Sequence, residues 1–168
     1  DPTDARAYAI APGGKRMFEA LGVWAEAEAM AEPIREMAIT DSRTHDVARP
    51  RFLSFSEEEA GDGPLAWMIM AEDLTELLER HAKAAGVDLR ATRVARSETS
   101  PGRVTATLET GAQIAAPLLV AADGGRSPLR EAAGIGWISW DYGQSGIVAT
   151  IGHDRPHQGK ANEHFLPA

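Results

Sequence analysis

The stretch that most constrains this chain is Leu118 to Ile135, LLVAADGGRSPLREAAGI. Five apolar residues in a row, Leu118 to Ala122, suit a parallel strand buried on both faces. Asp123-Gly124-Gly125 follows at once. Ser127 is a good helix N-cap, Pro128 a good first helical residue, and Gly134 can end the helix. In open α/β sheets, ligands sit at the carboxyl ends of such strands. Gly124 and Gly125 let the backbone approach a ligand closely. The helix start favours a phosphate anion, and Arg126 and Arg130 lie near it in sequence. Asp123 can accept from a ribose hydroxyl or orient a water. The same residues also read as a plain Asp-Gly turn between strand and helix, and physics alone leaves the two readings level.

The rest of the chain supplies helices and short strands. Arg6 to Ala11 is short, apolar and flanked by breakers. Pro12 opens a helix carrying Met17, Phe18 and Leu21 at helical spacing, closed by Gly22. Val23 to Ala31 continues as a second short helix, stopped by Pro33. Met37 and Ile39, then Phe52 and Ser54, alternate as two strands joined by a hairpin connection over Asp41 to Arg49. Glu57 to Pro64 reads as a surface loop, and Leu65 to Met70 as a strand. Ala71 to Ala85 gives the clearest helix, with Leu74, Leu77, Leu78 and His81 on one stripe and Gly86 as its C-cap. Val87 to Val94 is expected to return as a strand, and Val104 to Leu108 with Gln113 to Ala116 as a hairpin. Gln144 to Gly152 is a further strand candidate, and the tail to Ala168 reads as irregular. The mixture predicts α/β with an attached antiparallel part.

Composition narrows the function. A net charge of −8 argues against a nucleic-acid surface, which is usually basic. The absence of cysteine removes disulfides, thiolate nucleophiles and Cys-ligated zinc. No uncharged run approaches the ~20 residues of a membrane span. His153 and His157 are four apart, but Arg155-Pro156 between them argues against a helix that would align them on a metal, so none is expected. Trp67, Met68 and Met70 are expected in a core strand. Trp137, Trp140 and Tyr142 are expected mainly in packing, with contact to an apolar substrate as the sharper alternative.

The pattern A-D-G-x-x-S-x-x-R, on Asp123, Gly124, Ser127 and Arg130, resembles the second motif of FAD-dependent aromatic hydroxylases. In that family the segment lies against the FAD pyrophosphate and takes part in reduced-nicotinamide binding. Other segments resemble the ubiquinone-biosynthesis branch in the same order. These are D-A-R-A-Y-A-I with Arg6, then L-G-V-W, then Pro33-Ile34 with Met37 to Asp41. They continue with Trp140-x-Tyr142-Gly143-Gln144 and end with Glu163 to Pro167. The resemblance implies FAD as cofactor, NAD(P)H as reductant, O2 as oxidant, and hydroxylation of an aromatic ring, most concretely a polyprenyl phenol. It assigns Arg6, Asp123, Gly124 and Arg130 to the cofactor and no residue to acid–base catalysis.

Two larger departures and one smaller one accompany it. The family's opening G-x-G-x-x-G and its later G-D motif are absent here, and Ala71 stands where relatives carry a polar residue near FAD. The expected fold is therefore a partial Rossmann-like FAD/NAD(P)-binding domain lacking its first βαβ unit, with an antiparallel part of the substrate domain. Residues 1–35 and 71–136 fall to the FAD-binding part, and 36–70 and 137–168 to the β segments. The chain, which begins without Met, reads as an internal fragment that binds FAD weakly or not at all. Its bare strand edge invites self-association. The expected location is cytoplasmic, extended to peripheral attachment at the inner membrane. The alternatives are an inert fragment or interaction module, or a related flavoprotein such as a halogenase or prenyl reductase.

Overall fold

The computed structural model describes residues 6–42, 45–61 and 63–166. Asp4 and Ala5 of the opening motif, and Pro167 of the closing one, lie outside the described residues, as do positions 43, 44 and 62 within the expected loops. The chain divides into two compact units, one of residues 1–87 with 147–168 and the other of residues 88–146.

The first unit begins with β1 (Ala7–Ile10), α1 (Pro12–Ala20), α2 (Trp24–Ala29), β2 (Glu32–Ile34), β3 (Glu36–Asp41), β4 (Arg51–Ser56), α3 (Glu57–Ala60), β5 (Ala66–Met70) and α4 (Ala71–Ala84). β5 lies between β1 and β2, antiparallel to both. Pro33 fits there because β2 is an edge strand, where a missing N–H is tolerated. Phe18, Val23, Trp24, Ala27, Ile69, Leu74 and Leu77 pack with Trp67 in one core. The Trp24 and Trp67 rings meet edge to face at 5.2 Å, so the expected core placement of Trp67 is met.

The second unit carries β6 (Val94–Ser100), β7 (Arg103–Leu108), β8 (Gln113–Ala116) and α5 (Pro128–Ala132). The three strands form an antiparallel meander around buried Val104, Ala106 and Leu108. The β7–β8 hairpin falls where the sequence places it. The last strand, β9 (Lys160–Phe165), belongs to the first unit.

Several expectations are corrected. Glu57 to Pro64 is not all loop: Ser56 and Glu59 form a reciprocal capping box that starts α3. Val87 to Arg93 holds no strand. β6 instead runs through polar Arg96 to Ser100, because pairing with β7 outweighs its composition. The tail is not irregular: β9 lies parallel to β3, from Glu36 opposite Lys160 to Asp41 opposite Phe165. Gln144 to Gly152 forms no strand. Leu118 to Ala122 is not a buried strand either. No strand among the described residues pairs with it, and Leu118 and Val120 are 74% and 70% exposed. His81 does more than pack, since its Nε2 lies 2.9 Å from a Glu26 oxygen. Trp137, Trp140 and Tyr142 are exposed rather than packed in a core.

No described helix is long and apolar enough to cross a membrane.

Candidate functional site

The Asp123 turn forms as its residues dictate. Ser127, only 4% exposed, caps α5 by accepting from the Arg130 amide at 3.0 Å. Pro128 occupies the first helical position, where a missing N–H costs nothing. Gly134 closes the helix at a φ of +70°. Gly124 has a φ of +89°, a left-handed conformation that a side chain resists. A Cβ there would meet nothing within 4 Å, so the backbone faces open space.

Asp123 and Arg130 both close the turn. The Asp123 carboxyl is held below the ordinary aspartate range, first by a hydrogen bond from the Ser127 hydroxyl. Desolvation is the next largest effect and opposes it, while backbone N–H groups of Asp123 and Leu129 and the charge of Arg130 make smaller contributions in the lowering direction. Ser127 thus donates to Asp123 and accepts from the helix. The Arg130 Nη1 donates to the Gly125 carbonyl at 2.8 Å. Its guanidinium carbon lies 4.6 Å from the centre of the Trp137 ring, and its Nε is buried without a hydrogen-bond partner.

Two concavities flank the turn. One, of about 850 Å3, is lined by Gly124, Ser127 and Arg130 together with Leu118, Val120 and Val104. The other, of about 640 Å3, is lined by Asp123, Arg126 and Arg93 with Leu119, Val120 and Pro128. Apolar lining with a few charged groups is the usual make-up of a ligand site. Arg93, on the approach to β6, is a member that the sequence did not single out. Nothing local in T-R-V signals it, because its place depends on how β6 meets the turn.

Three of the four expected cofactor residues, Asp123, Gly124 and Arg130, are therefore neighbours in the second unit. The fourth, Arg6, stands at the start of β1 in the first unit, with its guanidinium 6.0 Å from the Tyr8 ring centre. Its carbonyl accepts from the Ala71 N–H at 2.9 Å, so the first residue of α4 is tied to the arginine's backbone. Among the described residues no group of three or more His, Asp or Glu side chains is arranged to hold a metal. His157 instead accepts from the Gly159 N–H at its Nδ1 and lies 3.6 Å from Glu32 at its Nε2.

The family described as FAD binding domain matches residues 1–165. The ubiquinone hydroxylase UbiL of Rhodospirillum rubrum is 36% identical over 167 residues, covering 98% of this chain and 38% of that protein. The mitochondrial ubiquinone biosynthesis monooxygenase COQ6 of Mus musculus is 30% identical, over 97% of this chain and 36% of its own length. The 3-demethoxyubiquinol 3-hydroxylase of Escherichia coli is 29% identical, over 88% and 37%. Among solved structures, Klebsiella pneumoniae HpxO complexed with FAD and uric acid superposes with a TM-score of 0.57 at 29% identity, covering 74% of this chain and 31% of that one. The 2-methyl-3-hydroxypyridine-5-carboxylic acid oxygenase, at 22% identity and a TM-score of 0.58 over 76% of this chain and 31% of its own, shares the fold. The chain spans less than two fifths of the length of each of these relatives.

Proposed function

Starting from a chain that belongs to the FAD binding domain family, we propose that it is part of an FAD-dependent monooxygenase that hydroxylates a polyprenyl phenol on the way to ubiquinone. NAD(P)H is the reductant and O2 the oxidant. The observation that carries the proposal is the Asp123–Arg130 turn, whose backbone is open at Gly124 and flanked by Arg126 and Arg130. That geometry suits an anion such as the FAD pyrophosphate, because nothing lies within 4 Å of where a Gly124 Cβ would sit. When bound, FAD supplies the redox chemistry.

The chain's own residues bind and orient. Gly124 gives the backbone close approach. Asp123, kept ionised through its bond from Ser127, fixes the turn and can meet a ribose hydroxyl. Arg130 and Arg6 complete the cofactor-side set. Residues 1–35 and 71–136 serve the cofactor, and 36–70 with 137–168 the substrate. The similarity to three ubiquinone-pathway hydroxylases supports the polyprenyl phenol as substrate, and such a substrate favours peripheral work at a membrane surface. The exposed apolar run at Leu118 and Val120 supports self-association of the 168-residue chain.

The test is to express the protein encoded by the whole reading frame and supply FAD, NADPH and a short-chain polyprenyl phenol. One added oxygen atom in the product, traced from 18O2, is expected. An FAD-loaded protein that oxidises NADPH without oxygenating the phenol would refute the proposed reaction.

A further inference from the structure

Trp137 is an exposed indole, at 58% exposure, that neither the core nor the proposed cofactor contacts explain. Three observations meet on it. The Arg130 guanidinium stacks on its ring at 4.6 Å. The same guanidinium donates to the Gly125 carbonyl at 2.8 Å. The indole also stands over Gly125, where an added Cβ would lie 3.8 Å from the ring. The indole, the guanidinium and the peptide carbonyl thus form one connected stack closing the turn. A stacked guanidinium is held in one plane, which is what a directed hydrogen bond to a single carbonyl requires.

We infer that Trp137 is a positioning residue: it holds Arg130 on the Gly125 carbonyl and so fixes the Asp123–Gly124–Gly125 turn in the shape that receives an anion. Arg130 then acts on the cofactor through the turn. Its Nη1 is committed to the carbonyl, and its Nε is enclosed without a partner. Ring and guanidinium separate if either is shortened. Phenylalanine keeps a face for the cation, whereas alanine does not. The inference rests on the FAD reading for its consequence and on the stack alone for its mechanism, and the two are measured separately.

The experiment compares the 168-residue chain with Trp137→Ala, Trp137→Phe and Arg130→Lys. In the first arm, NMR follows the Arg130 Nε–H and the Gly124 and Gly125 amides without FAD. The stack predicts a ring-current shift on Arg130, which Trp137→Ala abolishes and Trp137→Phe largely retains. It also predicts faster Nε–H exchange and altered Gly125 shifts in Trp137→Ala. In the second arm, FAD is titrated. Trp137→Ala is expected to weaken binding roughly two- to fivefold, the range of an exposed cation–π contact, with rescue by phenylalanine. Arg130→Lys keeps the charge and loses the fork, so it should resemble Trp137→Ala.

Unchanged Arg130 and Gly125 signals in Trp137→Ala would overturn the inference whatever FAD does. Altered signals with an unchanged FAD affinity would overturn the positioning role. Where the wild-type chain binds FAD too weakly to titrate, the first arm alone decides the clamp.

Discussion

Replacing Gly159 by alanine should unravel the join between β9 and β3. Gly159 precedes β9 and has a φ of +66°. Its carbonyl accepts from the Arg35 amide at 2.7 Å and the Glu36 amide at 3.3 Å, and its own N–H donates to His157 Nδ1 at 3.0 Å. A Cβ there would sit 2.8 Å from the Pro33 carbonyl oxygen and 3.0 Å from Arg35 Cγ. The arginine carbon can yield. The Pro33 oxygen is backbone of β2, which is paired to β5, and yields only if the strand moves. The left-handed conformation costs alanine about 1–2 kcal/mol. Overpacking against a fixed neighbour adds roughly 1–3 kcal/mol. The expected loss is thus about 2–5 kcal/mol, a large share of the stability of an ordinary domain.

Gly86 is the control. It lies in the same unit with a φ of +83° and nothing within 4 Å of an added Cβ, so Gly86→Ala should show the conformational part alone. Urea unfolding followed by the fluorescence of Trp24 and Trp67 gives the two losses. Hydrogen exchange at Lys160 to Phe165 locates the first. Equal losses in the two variants, or β9 amides as protected in Gly159→Ala as in the parent, would refute the steric argument.

Three further outcomes are expected. Ser127→Ala removes a helix cap and should cost about 1 kcal/mol in the second unit, and the Asp123 titration followed by carboxyl 13C NMR should move up toward the ordinary aspartate range. Because the folded-state pKa of Asp123 is lowered, its contribution is present above the unfolded value of 3.8 and is lost as pH falls through the folded one, so Ser127→Ala should flatten the acid limb of stability. Glu26 joins α2 to α4 through Arg80 at 2.5 Å and His81 at 2.9 Å, with its pKa lowered chiefly by the Arg80 bond and then by His81. Glu26→Gln should therefore lose stability above the usual glutamate range and little below it, as read by unfolding at a series of pH values. Leu118→Lys with Val120→Lys should lower the association of the 168-residue chain in sedimentation equilibrium, and unchanged association would remove that run as its cause.

Local chemistry was legible in the sequence wherever it acts over a few residues. Ser127, Pro128 and Gly134 set both ends of α5, and Gly86 ends α4 as its position requires. Leu74 and Leu77 point into the core as the helical stripe implies. The Ser56–Glu59 capping box was equally local and equally readable, but the two glycines and proline after it favoured a loop. What stayed hidden depends on distant partners. β9 is a strand because β3 lies beside it, more than a hundred residues earlier in the chain. β6 takes its shape from β7. Leu118 to Ala122 shows the converse, since an apolar run becomes a strand only when a neighbour supplies the other half of the ladder. At the site, the turn glycines and the helix cap after them single out the Asp123 to Arg130 segment, and the resemblance to the hydroxylase motif assigns Asp123, Gly124 and Arg130 to the cofactor. The stacking of Arg130 on Trp137 was not legible, because a tryptophan seven residues past an arginine carries no signal until α5 and its C-terminal turn bring them together.

The most direct measurement is an NMR titration of the 15N-labelled chain with FAD, carried to millimolar concentration so that weak binding registers. Saturable movement of the Gly124 and Gly125 amides, reproduced by ADP and absent with riboflavin, is the expected result, since the turn is held to face the phosphates. Perturbations confined to other residues, or equal responses to riboflavin and ADP, would contradict a phosphate-facing turn at Asp123.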